Sequence, residues 1–412
     1  MKKLWIAVFA VVFIVSSCAT GKGAAVPESA SDAGSVSPVP ASAADEKKAP
    51  VNTLVQLTLA ENPGKVIVAL SGEGNTRRFT FDNPGSSTVT FNTAFLGFMP
   101  DDIKVFSWGG ISDVLFEVEI TPVFSEACPP VNPLPADLRE IIFSGTDGWR
   151  YSDFEIYTWE SFPSILVFDI LNYDIQSTMF KRLSYFVEKK GFAGEIHSFA
   201  DLSGKGDWNA HNYLSRDLAS FFTLAESKGN LLTSGERHLR EILLANGIIS
   251  KGRNGRYTGN GYSGIITVSQ ESRTYLRSIL LNHEGYHGLF YAVPGLKELV
   301  YREWEKLVPE AREIWIDYLR TSANWNYDYE NQYLLKNELL GYLMQQQDFS
   351  RYFDGMMLPR ILKQCPEKAD YYASKQDSIR ESLVAMAGVI DEFLGTGYNL
   401  EAGNLSYLRE LK

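Results

Sequence analysis

Apolar and polar residues alternate through the first stretch of the chain that could fold. Val55, Leu57 and Leu59 alternate with Gln56 and Thr58, and residues 66–70, 78–81, 88–91, 103–108 and 114–123 continue the series. A period of two reads as half-buried strands, and Asn62-Pro63-Gly64 and Asn83-Pro84-Gly85 are turn signals between them. About six short strands predict an all-β sandwich of immunoglobulin-like kind over residues 52–127. The proline-rich run Cys128-Pro129-Pro130-Val131-Asn132-Pro133-Leu134-Pro135 then marks a boundary. Beyond it the pattern is mixed, with strands expected near 140–143, 154–158, 165–169, 195–199 and 265–269. Helices are expected over 176–190, 211–228 and 235–246, the last after a Thr233/Glu236 capping-box pattern. After 296 the period is almost wholly helical: 296–307, 309–319, 328–347, 352–364 and 369–394, the last stopped by Gly395 and Gly397. Residues 136–412 therefore read as a second, α+β domain with a mixed sheet first and a mostly helical C-terminal half.

Between those halves, Leu276, Ile279, Leu280, His283, His287 and Phe290 recur at helical spacing. Ser269 or Ser272 can cap this helix, and Glu271 adds negative charge to its first turn. It contains His283-Glu284-Gly285-Tyr286-His287, an H-E-x-x-H run. Residues four apart lie one turn above each other, so both imidazoles project to one side and can share a metal ion, with Glu284 in reach of a metal-bound water. The plain alternative is a pair of core histidines bonded to backbone carbonyls. Two histidines side by side in an apolar stripe are hard to satisfy in that way. Gly285 and Gly288 each cost about 1 kcal/mol in a helix, and read as room for something packed closely against it.

At these residues the sequence resembles the zincins, metallopeptidases built around such a helix. The resemblance implies Zn2+ held by His283 and His287, with Glu284 as general base. The metzincin extension would need Gly and His where Phe290 and Val293 stand, so the resemblance is to the gluzincin branch, whose third ligand is a Glu on a later helix. Glu338, in Asn337-Glu338 on the face that carries Leu334, Leu335, Tyr342 and Gln345, is the best candidate, because a carboxylate on a buried face needs a partner. Glu303, Glu305 and Glu330 are its rivals. Tyr342, Tyr286 and His211 are the options for stabilising an oxyanion. Asn282 and Asn337, each beside a motif residue, are candidate supports for the ligands. Zincins also pair the substrate backbone with an extended strand above the metal helix, and residues 265–269 are the candidate, with an ordinary internal strand as the alternative.

The start of the chain changes the setting. Lys2 and Lys3 followed by an apolar run over 4–15 form an export signal too short to span a bilayer comfortably. Val15-Ser16-Ser17-Cys18 resembles a bacterial lipobox, which implies removal of residues 1–17 and lipid on Cys18. Residues 18–51, rich in Ala, Ser, Gly and Pro, read as a flexible tether. The expected location is a membrane reached through that lipid, the outer membrane or cell surface sooner than the inner membrane, because no acidic retention signal follows Cys18. The 412-residue chain carries a formal charge of -11. Without its leader it has 37 basic against 50 acidic residues, and no basic block, which excludes nucleic acid as a partner. Cys128 and Cys365 could form a disulfide in an exported protein or stay free. The loop containing Gly204, Gly206 and Trp208 lacks the spacing of a phosphate-binding loop. The expectation is a lipid-anchored zinc metallopeptidase acting on peptides or proteins. A non-catalytic scaffold with a degenerate zincin fold, or a zinc hydrolase of a cell-wall amide, are the other readings.

Overall fold

The computed structural model describes residues 53–59, 65–72, 74–82, 88–92, 100–107, 116–122, 131–206, 209–229, 232–321, 327–405 and 408–410. The leader, Cys18, the tether and Cys128 lie outside the described residues; Cys365 is a free, half-buried thiol.

The alternating stretches form strands β1 (Thr53–Leu59), β2 (Lys65–Gly72), β3 (Asn75–Asp82), β4 (Thr88–Asn92), β5 (Asp102–Ser107) and β6 (Phe116–Pro122). Their apolar positions turn inward as the period-two rule requires, and Val55, Leu57, Val66, Val68, Leu70, Phe79, Phe91 and Val105 share one core. They make two sheets, β4-β1-β6 and a four-stranded one in which β3-β2-β5 is completed by the chain's last strand, Leu408–Glu410, antiparallel to β3. That closing strand had no counterpart in the sequence pattern.

The second part is a mixed five-stranded sheet with helices on both faces, followed by a helical half. Strand β7 (Leu134–Ala136) leads into helix α1 (Leu138–Phe143), then come β8 (Phe154–Trp159), β9 (Ile165–Ile170) and helix α2 (Tyr173–Val187). The segment 140–143 is therefore helical where a strand was expected. Asp137 caps it, accepting from the Arg139 amide at 2.8 Å, while Glu140 reaches back to the Asp137 amide at 3.0 Å. This is the reciprocal capping box of a helix start. Residues 195–199, also expected as a strand, form an irregular loop that enters a turn at Phe199. The expected helix 211–228 divides into strand β10 (Ala210–Leu214) and helix α3 (Ser215–Ser227). Helix α4 (Ser234–Ala245) has the anticipated Thr233/Glu236 capping box. A small hairpin of β11 (Ile249–Lys251) and β12 (Tyr257–Gly259) precedes β13 (Gly264–Ser269).

The sheet order is β10-β13-β9-β8-β7, with β13 parallel to β9 and β10 antiparallel to β13. Strand β13 is thus internal and buried along its whole length, and β10 holds the edge. One face of the sheet packs Phe154, Leu166, Phe168, Tyr213 and Ile265 against α2, α3 and α4. The other packs Tyr157, Val167, Leu214, Ile266 and Val268 against the helices that follow.

The first of these is α5 (Thr274–Ala292), then α6 (Leu296–Lys306), α7 (Pro309–Arg320) and α8 (Gln332–Met344). The segment 349–364 is α9 (Phe349–Tyr352), a π-turn over Phe353–Met357 and α10 (Leu358–Gln364). Helices α11 (Ala369–Ser374) and α12 (Gln376–Tyr398) complete the bundle; α12 runs through Gly395 and Gly397 and stops at Asn399, in the left-handed region at φ 54.

Helix α5 begins at Arg273 without a side-chain cap, so neither Ser269 nor Ser272 serves there. A buried ion pair does the anchoring. Arg277 Nη1 donates to Asp169 Oδ1 at 2.8 Å, and its Nη2 donates to the Ile141 carbonyl at 2.6 Å, tying the start of α5 to β9 and α1. In the first turns Arg277 and Leu281 face inward while Leu276, Ile279 and Leu280 are half-buried, a different face from the one the apolar spacing suggested. From Leu281 to Tyr291 every residue is buried. Gly285 and Gly288 do make room for neighbours: a Cβ would stand 2.5 Å from Leu405 Cδ1 at the first and 2.9 Å from Ile165 Cδ1 at the second.

Candidate metal centre

His283 and His287 lie one turn apart on α5, and α8 crosses that face. Glu338 on α8 arrives between them, and these three buried side chains could hold a metal ion, with one donor atom of each within 4.8 Å of the others. The two Nε2 atoms are 2.9 Å apart, and Glu338 stands 3.6 Å from each. Tetrahedral donors about 2.0–2.2 Å from a zinc ion would be separated by roughly 3.3–3.5 Å, so the triangle is close to the right size. The donor chemistry fits as well. His283 Nδ1 is engaged by Gln345 Oε1 at 3.0 Å, which leaves the Nε2 lone pair facing the centre. Glu338 Oε2 is buried and has no hydrogen-bond partner among the described residues, since 3.6 Å is too long for one. Two imidazole nitrogens and a carboxylate gathered out of water are a donor set that could hold a cation.

The titration behaviour follows from that crowding. For His287, burial and then the His283 ring push the pKa down to about 4, against the Glu338 carboxylate and Asn337, beside it on α8, which act the other way. Burial acts downward on His283 too, but the Glu338 and Glu284 carboxylates outweigh it and its pKa lies above the ordinary value. Burial acts upward on Glu338, and the two histidines, with a hydrogen bond from Tyr327, outweigh it, so its pKa is lowered.

Glu284 lies beside the triangle. Burial pushes its pKa up to about 7, against the opposing effect of His283 and of the Asn212 amide, which donates to Glu284 Oε2 at 3.0 Å. Asn212 belongs to β10. Successive strand residues point to opposite faces, so Asn212 faces α5 while His211 faces the far core, stacked near Phe180 and bonded through Nδ1 to the Tyr213 hydroxyl at 2.9 Å. His211 therefore does not come to the centre.

The other candidates divide. Tyr342, one turn past Glu338, sets its ring edge against His283 with centroids 4.9 Å apart. Asn337 stands beside His287. Asn282 points elsewhere: its side chain donates to the Ser278 carbonyl and accepts from the Leu405 amide at 3.2 Å, holding the C-terminal segment on α5. Tyr286 does similar work, donating to the Glu401 carbonyl at 2.8 Å. Of the rival carboxylates, Glu303 pairs with Arg302 and Lys306, Glu305 pairs with Arg312, and Glu330 is exposed.

Four residues at the centre were not picked out for it from sequence. Asn212 was hidden in an expected helix. Tyr327 comes from the connection before α8, where its backbone bridges to Lys189. Gln345 was recognised only as a member of the Glu338 face. Gly341 lies where α8 meets the rings: a Cβ there would be 2.7 Å from His283 Cε1 and 2.9 Å from His287 Cε1. A glycine one turn after a buried Glu on a helix was the available signal. No family model matches this sequence, and no curated protein or solved structure is significantly similar to it.

Proposed function

We propose that this chain is a lipid-anchored zinc metallopeptidase of zincin-like architecture, exported as a lipoprotein and hydrolysing peptide bonds with Glu284 as general base. The observation that carries the proposal is the meeting of His283, His287 and Glu338 from two helices, all three buried, beside a carboxylate that is not part of the triangle. The three residues would hold the ion through His283 Nε2, His287 Nε2 and the Glu338 carboxylate. A zinc ion there would supply Lewis-acid polarisation of a carbonyl and a water acidic enough to ionise near neutral pH. Glu284, held near pKa 7, takes the proton of the attacking water and returns it to the leaving amine. Asn212 keeps that carboxylate turned to its task through the bond to Oε2. Tyr342, whose ring lies against His283, and Tyr327, bonded to Glu338, are the candidates to meet developing negative charge on the substrate oxygen.

Substrate placement follows from the register of β10. The Ser215 amide donates to the Ser263 carbonyl, so in this antiparallel pair Tyr213 and His211 also turn their peptide groups toward β13. Asn212 and Leu214 turn theirs to the open edge. An extended peptide can pair there, directly above Glu284, through main-chain hydrogen bonds. The strand proposed to receive substrate is thus β10, not residues 265–269.

Metal analysis followed by a peptide-library digest of wild type against Glu284→Gln tests the proposal. Stoichiometric zinc with cleavage lost in Glu284→Gln is expected. Zinc without any peptide cleavage favours the scaffold or the cell-wall amidase, and cleavage that survives Glu284→Gln removes the mechanism.

A further inference from the structure

Past Leu214, the β10 edge proposed to receive substrate runs into a cluster of cations, in a chain that is acidic overall. The Arg216 guanidinium is 5.1 Å from the centroid of the Tyr333 ring, and the Lys297 ammonium is 5.4 Å from the same ring. Lys297 and Lys336 approach Tyr301 at 5.7 and 4.5 Å. Attraction to aromatic faces accounts for part of this. It does not account for where the cations sit in their helices. Arg216 and Lys297 are each the second residue of a helix, α3 and α6, where the macrodipole disfavours positive charge. Neither helix has a side-chain cap on its first-turn amides. Tyr333 is the second residue of α8, so three positive helix ends converge on one ring. Three carboxylates lie nearby: Asp217 is 3.6 Å from Arg216, Glu298 is in the first turn of α6, and Glu305 acts on Lys336 from its pair with Arg312.

A second observation is independent of those charges. Tyr291 is 8% exposed and its hydroxyl finds no hydrogen-bond partner among the described residues. It lies on the Glu284 face of α5, two turns on, within electrostatic reach of both Glu284 and Tyr333. Its hydroxyl stands against Gly264 of β13, beneath the Leu214–Gly264 pair at the end of the edge strand.

We infer that this end of the β10 edge leads to a subsite for a carboxylate side chain of the peptide substrate, with Arg216 and Lys297 as its specificity-determining cations. The inference rests on the peptidase reading above. Seven helical residues from Glu284 to Tyr291 span about 10 Å, which is about three residues of extended peptide. The recognised Asp or Glu therefore stands about three residues from the scissile bond.

The test is peptide binding to the zinc-loaded Glu284→Gln protein, using fluorescent, C-terminally amidated peptides that differ only by Glu or Gln at each position. Glu at one position should bind about fivefold to tenfold tighter. The preference should vanish in Arg216→Gln/Lys297→Gln, survive largely in Arg216→Lys, and shrink with added salt. Equal binding of the Glu and Gln peptides, or a preference unchanged in the double variant with a wild-type melting temperature, overturns the subsite. A Gln peptide with a free C-terminus that alone binds tighter also overturns it, since the cluster would then read chain ends. A wild-type digest keeps the two ideas apart: selective binding without turnover leaves the subsite standing and removes the peptidase.

Discussion

Gly341 offers the sharpest test of whether α5 and α8 are fitted to each other around a metal. A methyl group there would meet His283 Cε1 at 2.7 Å, His283 Nδ1 at 2.9 Å and His287 Cε1 at 2.9 Å. Ordinary carbon contacts begin at about 3.5 Å, so Gly341→Ala requires the rings or the helix to move by roughly 0.8 Å. On helix propensity alone the substitution stabilises by about 1 kcal/mol. The overpacking costs about 1–3 kcal/mol. The metal-free protein should therefore lose little stability. Metal affinity should fall further, because both rings shift and the His283–Gln345 bond is disturbed; such changes around ligands weaken binding by about 10- to 100-fold. Chelator-competition titration gives the affinity directly, and thermal melts with and without zinc give it again, since a tenfold weaker site forfeits about 1.4 kcal/mol of ligand-induced stabilisation at saturating metal. A variant that binds zinc as tightly as wild type would refute the fit. So would one that loses as much stability without metal as with it.

Other expectations concern single groups. Glu338→Gln should lose zinc while Glu303→Gln and Glu305→Gln retain it; equal retention in all three would displace Glu338 from the centre. Asn212→Ala should leave zinc content unchanged and lower kcat by roughly tenfold, the scale of one positioning hydrogen bond; an unchanged kcat would refute its role. Asp169→Asn leaves Arg277 buried beside a neutral partner and should cost about 3–5 kcal/mol in a denaturant melt, whereas a loss below about 1 kcal/mol would show that the pair does not anchor α5. Glu160 is pushed up to about 8 by burial and then by Asp137. Its folded pKa is raised, so the folded state keeps a proton that the unfolded chain has released, and stability is lost as pH rises from the ordinary carboxylate range through about 8. Glu160→Gln should flatten that decline in melts across the same window, and an unchanged slope would refute the assignment.

The parts of this molecule that could be read from sequence are those whose local pattern agrees with their tertiary role. The strands of the first sandwich alternate because only one face of each sheet is buried, and α4 announces itself by a capping box that the fold uses. At the candidate centre the H-E-x-x-H spacing is set by a single helix, so it was legible, and Glu338 could be inferred because a carboxylate on an apolar face needs a reason. Where local pattern and fold part company, the expectation failed. Asp137 and Glu140 carried the same capping signal as Thr233 and Glu236, but the apolar Ile141-Ile142-Phe143 behind them suggested a strand. Strand β10 runs straight into α3 with no turn residue between Leu214 and Ser215, so the period changes without punctuation.

That unpunctuated joint is what brings the functional parts together. An edge strand that continues directly into a helix places its last outward peptide groups, at Asn212 and Leu214, next to the first turn of that helix, at Arg216. On the proposed reading, the same strand supplies Asn212 to Glu284, an edge on which a peptide would pair, and a cation at the far end of that edge. A two-residue insertion between Leu214 and Ser215 would keep the strand and the helix while moving Arg216 off Tyr333. It should therefore abolish the carboxylate preference and leave zinc affinity unchanged, whereas loss of the metal would mean that β10 and the centre are coupled through more than the single Asn212 hydrogen bond.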